Sequence, residues 1–241
     1  MMRSGNPALR GDIFKDTAAS GGAGAMTIQG TVNKTLLLLM LTVISATWVW
    51  GNPAGLMPLM VPAAILGFIT ALVTIFKKEW AGITAPAYAL LEGVFLGGIS
   101  ALFEAAYPGI VIQAVLLTFG TLFCLLVAYK SGLIKVTENF KLGVVAATGA
   151  IALIYIVSII VGFFGVQMPL IHSSGPVGII FSLIVVCIAA LNLVLDFDFI
   201  EKGEEAGAPK YMEWYGAFGL MVTLIWLYLE MLRLLSKLRS R

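Results

Sequence analysis

LNLVLDFDFIEKGEEAGAPKYMEWY, residues 191–215, joins two long apolar runs through an acidic turn. It begins among apolar residues with Asn192, Asp196 and Asp198, crosses Glu201, Glu204 and Glu205, and enters the last apolar run at Glu213. Carboxylates at the edge of hydrocarbon are costly to place, so each needs a partner or a task. Two consequences follow: the flanking runs are membrane spans, and the acids between and within them are the first candidates for function.

The rest of the chain agrees with the first consequence. Of its 241 residues, 60% are hydrophobic and 12% charged, against about a quarter charged in a soluble domain, and the mean hydropathy is +0.99. The apolar runs approach the ~20 residues that carry a helix across a bilayer. They are continuous, whereas a β-barrel shows short alternating segments. The expected fold is an all-α integral membrane protein, a seven-transmembrane helix bundle. The net charge of +2 gives no reason to expect nucleic acid, because the basic residues lie between apolar runs and at the ends.

Residues 1–30 are polar and rich in Gly and Ala, and read as a mobile tail. Residues 31–235 form the membrane domain, and 236–241 a basic C-terminal tail. The seven spans are placed at residues 31–50, 57–76, 83–103, 109–129, 142–164, 176–200 and 213–235. The first has no cleavage site and is read as a retained helix. Trp48 and Trp50 suit an interfacial belt. Gly93, Gly97 and Gly98 in span three, and Gly143, Ala146, Ala147 and Gly149 in span five, predict close packing on neighbouring helices. Cys124 and Cys187 are expected as packing residues within apolar runs, not as a disulfide.

Up to the last span, Lys and Arg fall on one side only. The N-terminal segment, residues 77–78, 130–141 and 202–210 carry them, while the three loops on the other side have none. The positive-inside rule then puts the N-terminus in the cytoplasm of a cell-membrane protein, the inner membrane in a bacterium. Arg233, Lys237, Arg239 and Arg241 oppose the rule if span seven crosses. Either the violation is tolerated, or the last segment dips in and returns; seven crossings is the preferred reading.

Helical rise converts position to depth. Glu92 lies roughly 14 Å inward, Asp196 roughly 9 Å and Thr223 roughly 15 Å, all from the same side. Asn192 and Asp196 are one turn apart and share a face, whereas Asp198 points nearly opposite. Asp196 is therefore expected to face the bundle, with Asp198 and the glutamates of the turn facing water. No basic residue lies within spans one to six, so Glu92 has no ion-pair partner there. Glu230 and Arg233, three apart, are expected as an interfacial ion pair, and Glu104 as a helix-end acid. His172, the only histidine, reads as a solvated loop residue. No nucleophile–base pair, H-E-x-x-H motif or phosphate-binding glycine loop occurs, so no enzymatic activity is expected.

The opening MTIQGTVNKT, the Glu92-Gly93 pair with Gly97-Gly98, the acidic LDFDFI exit of span six and the terminal MLRLL together resemble the Bax inhibitor-1 (transmembrane Bax-inhibitor-motif) family, as seen in its bacterial members. The resemblance runs from about Met26 onward. It implies a central last helix and a calcium or cation leak that responds to pH through acids of helices six and seven. It also implies a part in stress survival and in regulating partner proteins. Asp196 matches the family's acid near the end of helix six. Thr223 stands where an aspartate is expected in helix seven, and the frequent arginine of helix two is missing, so the sensing pair does not carry over intact; Glu92 is the replacement that depth suggests. The residues expected to line a cation path or sense pH are Asp196, Glu92, Asn192, Thr223 and Asp198. Calcium, a hard cation, would bind at Asp196 with carbonyls and water completing its oxygen shell. No cofactor other than the permeant calcium is implied. The alternative is a non-conducting regulator that binds another membrane protein, such as a quality-control protease. The partners expected are lipid, cations and that second protein, in an oligomeric state the sequence leaves open.

Overall fold

The computed structural model describes residues 24–165 and 173–240. Among these residues, seven helices are long and apolar enough to cross a membrane. They are α1 (Ile28–Gly51), α2 (Met60–Phe76), α3 (Ala81–Ala106), α4 (Ile110–Lys130), α5 (Glu138–Phe163), α6 (Pro176–Glu205) and α7 (Met212–Arg239). A helical turn and a 3-10 turn precede α2, and a 3-10 turn precedes α3. The protein is an all-α, multi-pass membrane bundle, in which each helix satisfies its own backbone polar groups, as hydrocarbon demands. Every expected span is present. The largest boundary differences are at α5, which starts four residues earlier than expected, and at α6 and α7, which run five and four residues further toward their C-termini.

Burial ranks the helices. In α7 56% of the apolar window is buried, against 11% in α5. The last helix is thus the most enclosed span, and α5 the least enclosed.

The described chain forms two compact units. The first holds residues 24–106 and 196–222, and the second residues 107–195 and 223–240. In the first unit, α3 packs along α1 and α2 through its glycines. A Cβ on Gly97 would lie 2.5 Å from the Ala46 carbonyl oxygen, one on Gly98 would lie 2.8 Å from Met60 Sδ, and one on Gly93 would collide with Ser45 and Thr42. The buried face of α1 is unusually polar, with Thr31, Thr35, Thr42 and Ser45. Each hydroxyl donates to a carbonyl one turn earlier, and Thr42 also reaches the Ala89 carbonyl at 3.1 Å. Hydroxyls satisfied in this way can be buried against glycine without orphaning a polar group.

Two packing expectations need correction. Gly143 and Gly149 of α5 meet nothing within 4 Å and Ala146 is exposed, while Ala147 is half-buried, so three of the four small residues pack on no neighbour among the described residues. Small residues permit a close approach but do not supply the partner. Cys124 and Cys187 are free, as expected, but both are exposed on the bundle and not packed inside it.

The segment read as a tail also needs revision. Residues 1–23 and His172 lie outside the described residues, but α1 begins at Ile28 and Met26 is buried at 1% exposure. At the other end α7 continues through Lys237, which is buried. Its Nζ donates to the Gly178 carbonyl at 3.0 Å and to Ser182 Oγ at 2.8 Å, so residues 236–239 are helix and not tail.

Candidate functional site

The α6–α7 turn is built first by local signals. Gly207, at φ 64°, ends α6. Its N–H donates to the Glu204 carbonyl and that of Ala208 to the Gly203 carbonyl, the paired bonds of a glycine-terminated helix. Ala208 then presents its own carbonyl outward, where it accepts the Met26 N–H at 2.7 Å, and Ala25 forms an antiparallel bridge with Pro209.

The acids of the turn complete this docking. Glu213, in the first turn of α7, has no exposed surface. Its Oε1 accepts the Thr27 N–H and the Thr27 hydroxyl, each at 2.9 Å, and the Lys210 ammonium at 2.7 Å. Its Oε2 pairs with Lys34. Glu204 Oε1 accepts the Ile28 N–H at 2.9 Å. The free N–H groups that begin α1 are therefore capped by carboxylates from α6 and α7, where helix dipoles favour negative charge. A Cβ on Gly30 would overlap the Glu213 carboxylate, which explains the glycine one turn into α1. The glutamates of the turn were expected to face water. Glu213 does not, because α1 covers it with Thr27 and Lys34 while Lys210 of the turn closes over its other side. Lys210, three residues earlier, is the local half of the signal, and the lysine at position 34 is the distant half.

The sequence-expected site residues divide between the units. Glu92, Asp196 and Asp198 belong to the first, and Asn192 and Thr223 to the second. Glu92 accepts a hydrogen bond from Tyr88, one turn earlier, and its Oε1 lies 3.1 Å from where a Cβ on Gly67 of α2 would sit. It makes no ion pair with a described residue. Asp196 directs Oδ1 toward Gly219 of α7, 3.9 Å from that residue's would-be Cβ, which agrees with an inward-facing acid. Asp198 is a correction: it is 8% exposed, more enclosed than Asp196, and Oδ2 accepts from Lys202 Nζ at 2.8 Å. Near the turn, protein covers both faces of α6, so opposite pointing no longer separates buried from exposed.

Asn192 donates through Nδ2 to Thr148 Oγ1 and to the Ile188 carbonyl, each at 2.8 Å, tying α6 to α5. Thr223 is buried. Glu230 pairs with Arg233 at 2.8 Å, as expected, but is itself buried, and Tyr155 of α5 donates to the same carboxylate oxygen at 2.8 Å. Among the described residues no three Asp, Glu, His or Cys side chains gather as metal ligands. A calcium ion at Asp196 would take most of its oxygens from carbonyls and water.

A sequence model of the family described as Bax inhibitor 1 like matches residues 6–240, almost the whole chain. No curated protein and no solved structure matches it.

Proposed function

The chain belongs to the Bax inhibitor 1 like family, and from that premise we propose that its bundle is a cation leak, for calcium above all, whose conductance follows pH. The observation that carries this reading is Glu92. It is a carboxylate within a membrane-spanning helix, held by the Tyr88 hydroxyl and ion-paired to no described residue. Ionisable groups within spans are costly, and they mark ion pathways and proton relays. Asp196, turned toward the glycine of α7, supplies a second oxygen group in the same unit. The protein would sit in the cell membrane with its N-terminus in the cytoplasm, as the distribution of Lys and Arg favours.

Calcium influx into liposomes holding the purified protein tests the reading. Wild type is expected to leak, and Glu92→Gln and Asp196→Asn to leak less and to lose the dependence on pH. Equal flux through all three proteins, or through none, removes it. A second reading, a non-conducting regulator of another membrane protein, is favoured by the unpacked Gly143, Ala146 and Gly149 face of α5. Silent liposomes together with one stable crosslinked partner on that face would decide for it.

A further inference from the structure

We infer that residues Ala25–Ile28 are a strap whose Met26 side chain plugs the path to Asp196 from the α6–α7 turn. The inference rests on the leak reading and adds its closure.

Four observations within the first unit carry it. The strap is held along its length: Ala25 bridges to Pro209, the Met26 N–H bonds Ala208, Thr27 bonds Glu213 and Ile28 bonds Glu204. The Ala25 bridge and the Met26 bond lie before the N-cap Thr27 and are more fixing than capping of α1 requires. The Met26 side chain lies in an apolar cluster with Ala81, Ile200, Ala208, Met212 and Tyr215. Its Cε lies 3.5 Å from where a Cβ on Gly216 would sit, and Ile200 Cγ1 lies 3.2 Å from the same point. The cluster also stands at a particular level. Ile200 is one turn beyond Asp196 on α6, and Gly216 is one turn before Gly219 on α7, so the apolar layer lies roughly 6 Å nearer the turn than the Asp196–Gly219 level. An ion approaching Asp196 from the turn would have to cross that layer, and an apolar constriction stops ions by excluding water. Methionine suits such a plug: it is apolar, unbranched and able to fill an irregular gap.

The experiment uses the full chain with Cys124→Ala and Cys187→Ala, and adds Asp196→Cys as a reporter of water access. A charged, membrane-impermeant thiol reagent is applied to the protein in nanodiscs, with Met26 intact, Met26→Ala or Met26→Leu. Labelling at position 196 is expected to be several-fold faster with Met26→Ala, and unchanged with Met26→Leu, which keeps the volume and so controls for folding. In parallel, with Asp196 restored, Met26→Ala is expected to raise calcium flux several-fold in liposomes. Faster labelling without any flux from any protein would keep the plug and remove the leak. Labelling at one rate in all three proteins, or equally accelerated by Leu and Ala, would overturn the plug.

Discussion

Glu213 has no exposed surface, while its partners Lys34 and Lys210 both reach the outside with part of their side chains. That asymmetry sets what each residue contributes. Removing the carboxylate orphans the Thr27 N–H and leaves two ammonium groups facing each other, although both can swing toward water. Glu213→Ala should therefore destabilise the protein by about 3 kcal/mol, the low end for a broken buried ion pair. Lys34→Met leaves Lys210 and Thr27 in place and should cost no more than about 1 kcal/mol. Equilibrium unfolding in mixed detergent micelles measures both, and equal losses would contradict the geometry. The same comparison explains why Asp196 and Asp198 were only half legible. Their opposite pointing and the Asp198–Lys202 pair one turn apart both follow from helical spacing, but the cover over Asp198 depends on which elements pack against α6 near the turn. Spacing gives direction; burial needs the neighbour.

At the scale of the helix, small residues separate into two kinds that look alike in sequence. Gly97 of α3 lies against the α1 backbone, and an added Cβ would meet the Ala46 carbonyl oxygen and Cα, neither of which can rotate away. Gly149 of α5 faces open space. Gly97→Ala should thus separate α1 from α3 and cost about 1–3 kcal/mol. Gly149→Ala should leave stability unchanged or raise it by up to about 1 kcal/mol through helix propensity. Unfolding by denaturing detergent distinguishes them, and a loss of similar size at both positions would show that α5 packs where the structure leaves it bare. The helices themselves were legible because hydrocarbon allows so few alternatives: runs of about 20 apolar residues name the spans with little help from local propensity. Which face each helix buries was less so. Where every side of a span is apolar, periodicity gives little signal, and the hydroxyl-lined face of α1 carries polar groups where a soluble core would carry Leu.

For the molecule as a whole, the C-terminal charges posed the one conflict in the sequence, since four basic residues follow a seventh crossing on the side the rule leaves empty. In the structure the described ones among these residues have partners within the protein. Arg233 is paired with Glu230 and bonded to Tyr155 at 2.6 Å. Lys237 is enclosed, with Gly178 and Ser182 as acceptors. Arg239 donates to the carbonyls of Tyr107 at 3.3 Å and Pro108 at 2.7 Å. These cations have acceptors within the protein, and the dipole at a helix C-terminus favours them. The alternative, a last segment that dips in and returns, requires a break, and α7 runs unbroken from Met212 to Arg239, a length of about 42 Å. Seven crossings place the two ends of the chain on opposite sides. In a protein with Cys124→Ala and Cys187→Ala, Gly24→Cys and Ser240→Cys should therefore be labelled from opposite faces of sealed vesicles by an impermeant maleimide. Labelling of both from one face would mean that α7 does not cross, and the internal partners of Arg233 and Lys237 would then need a different explanation.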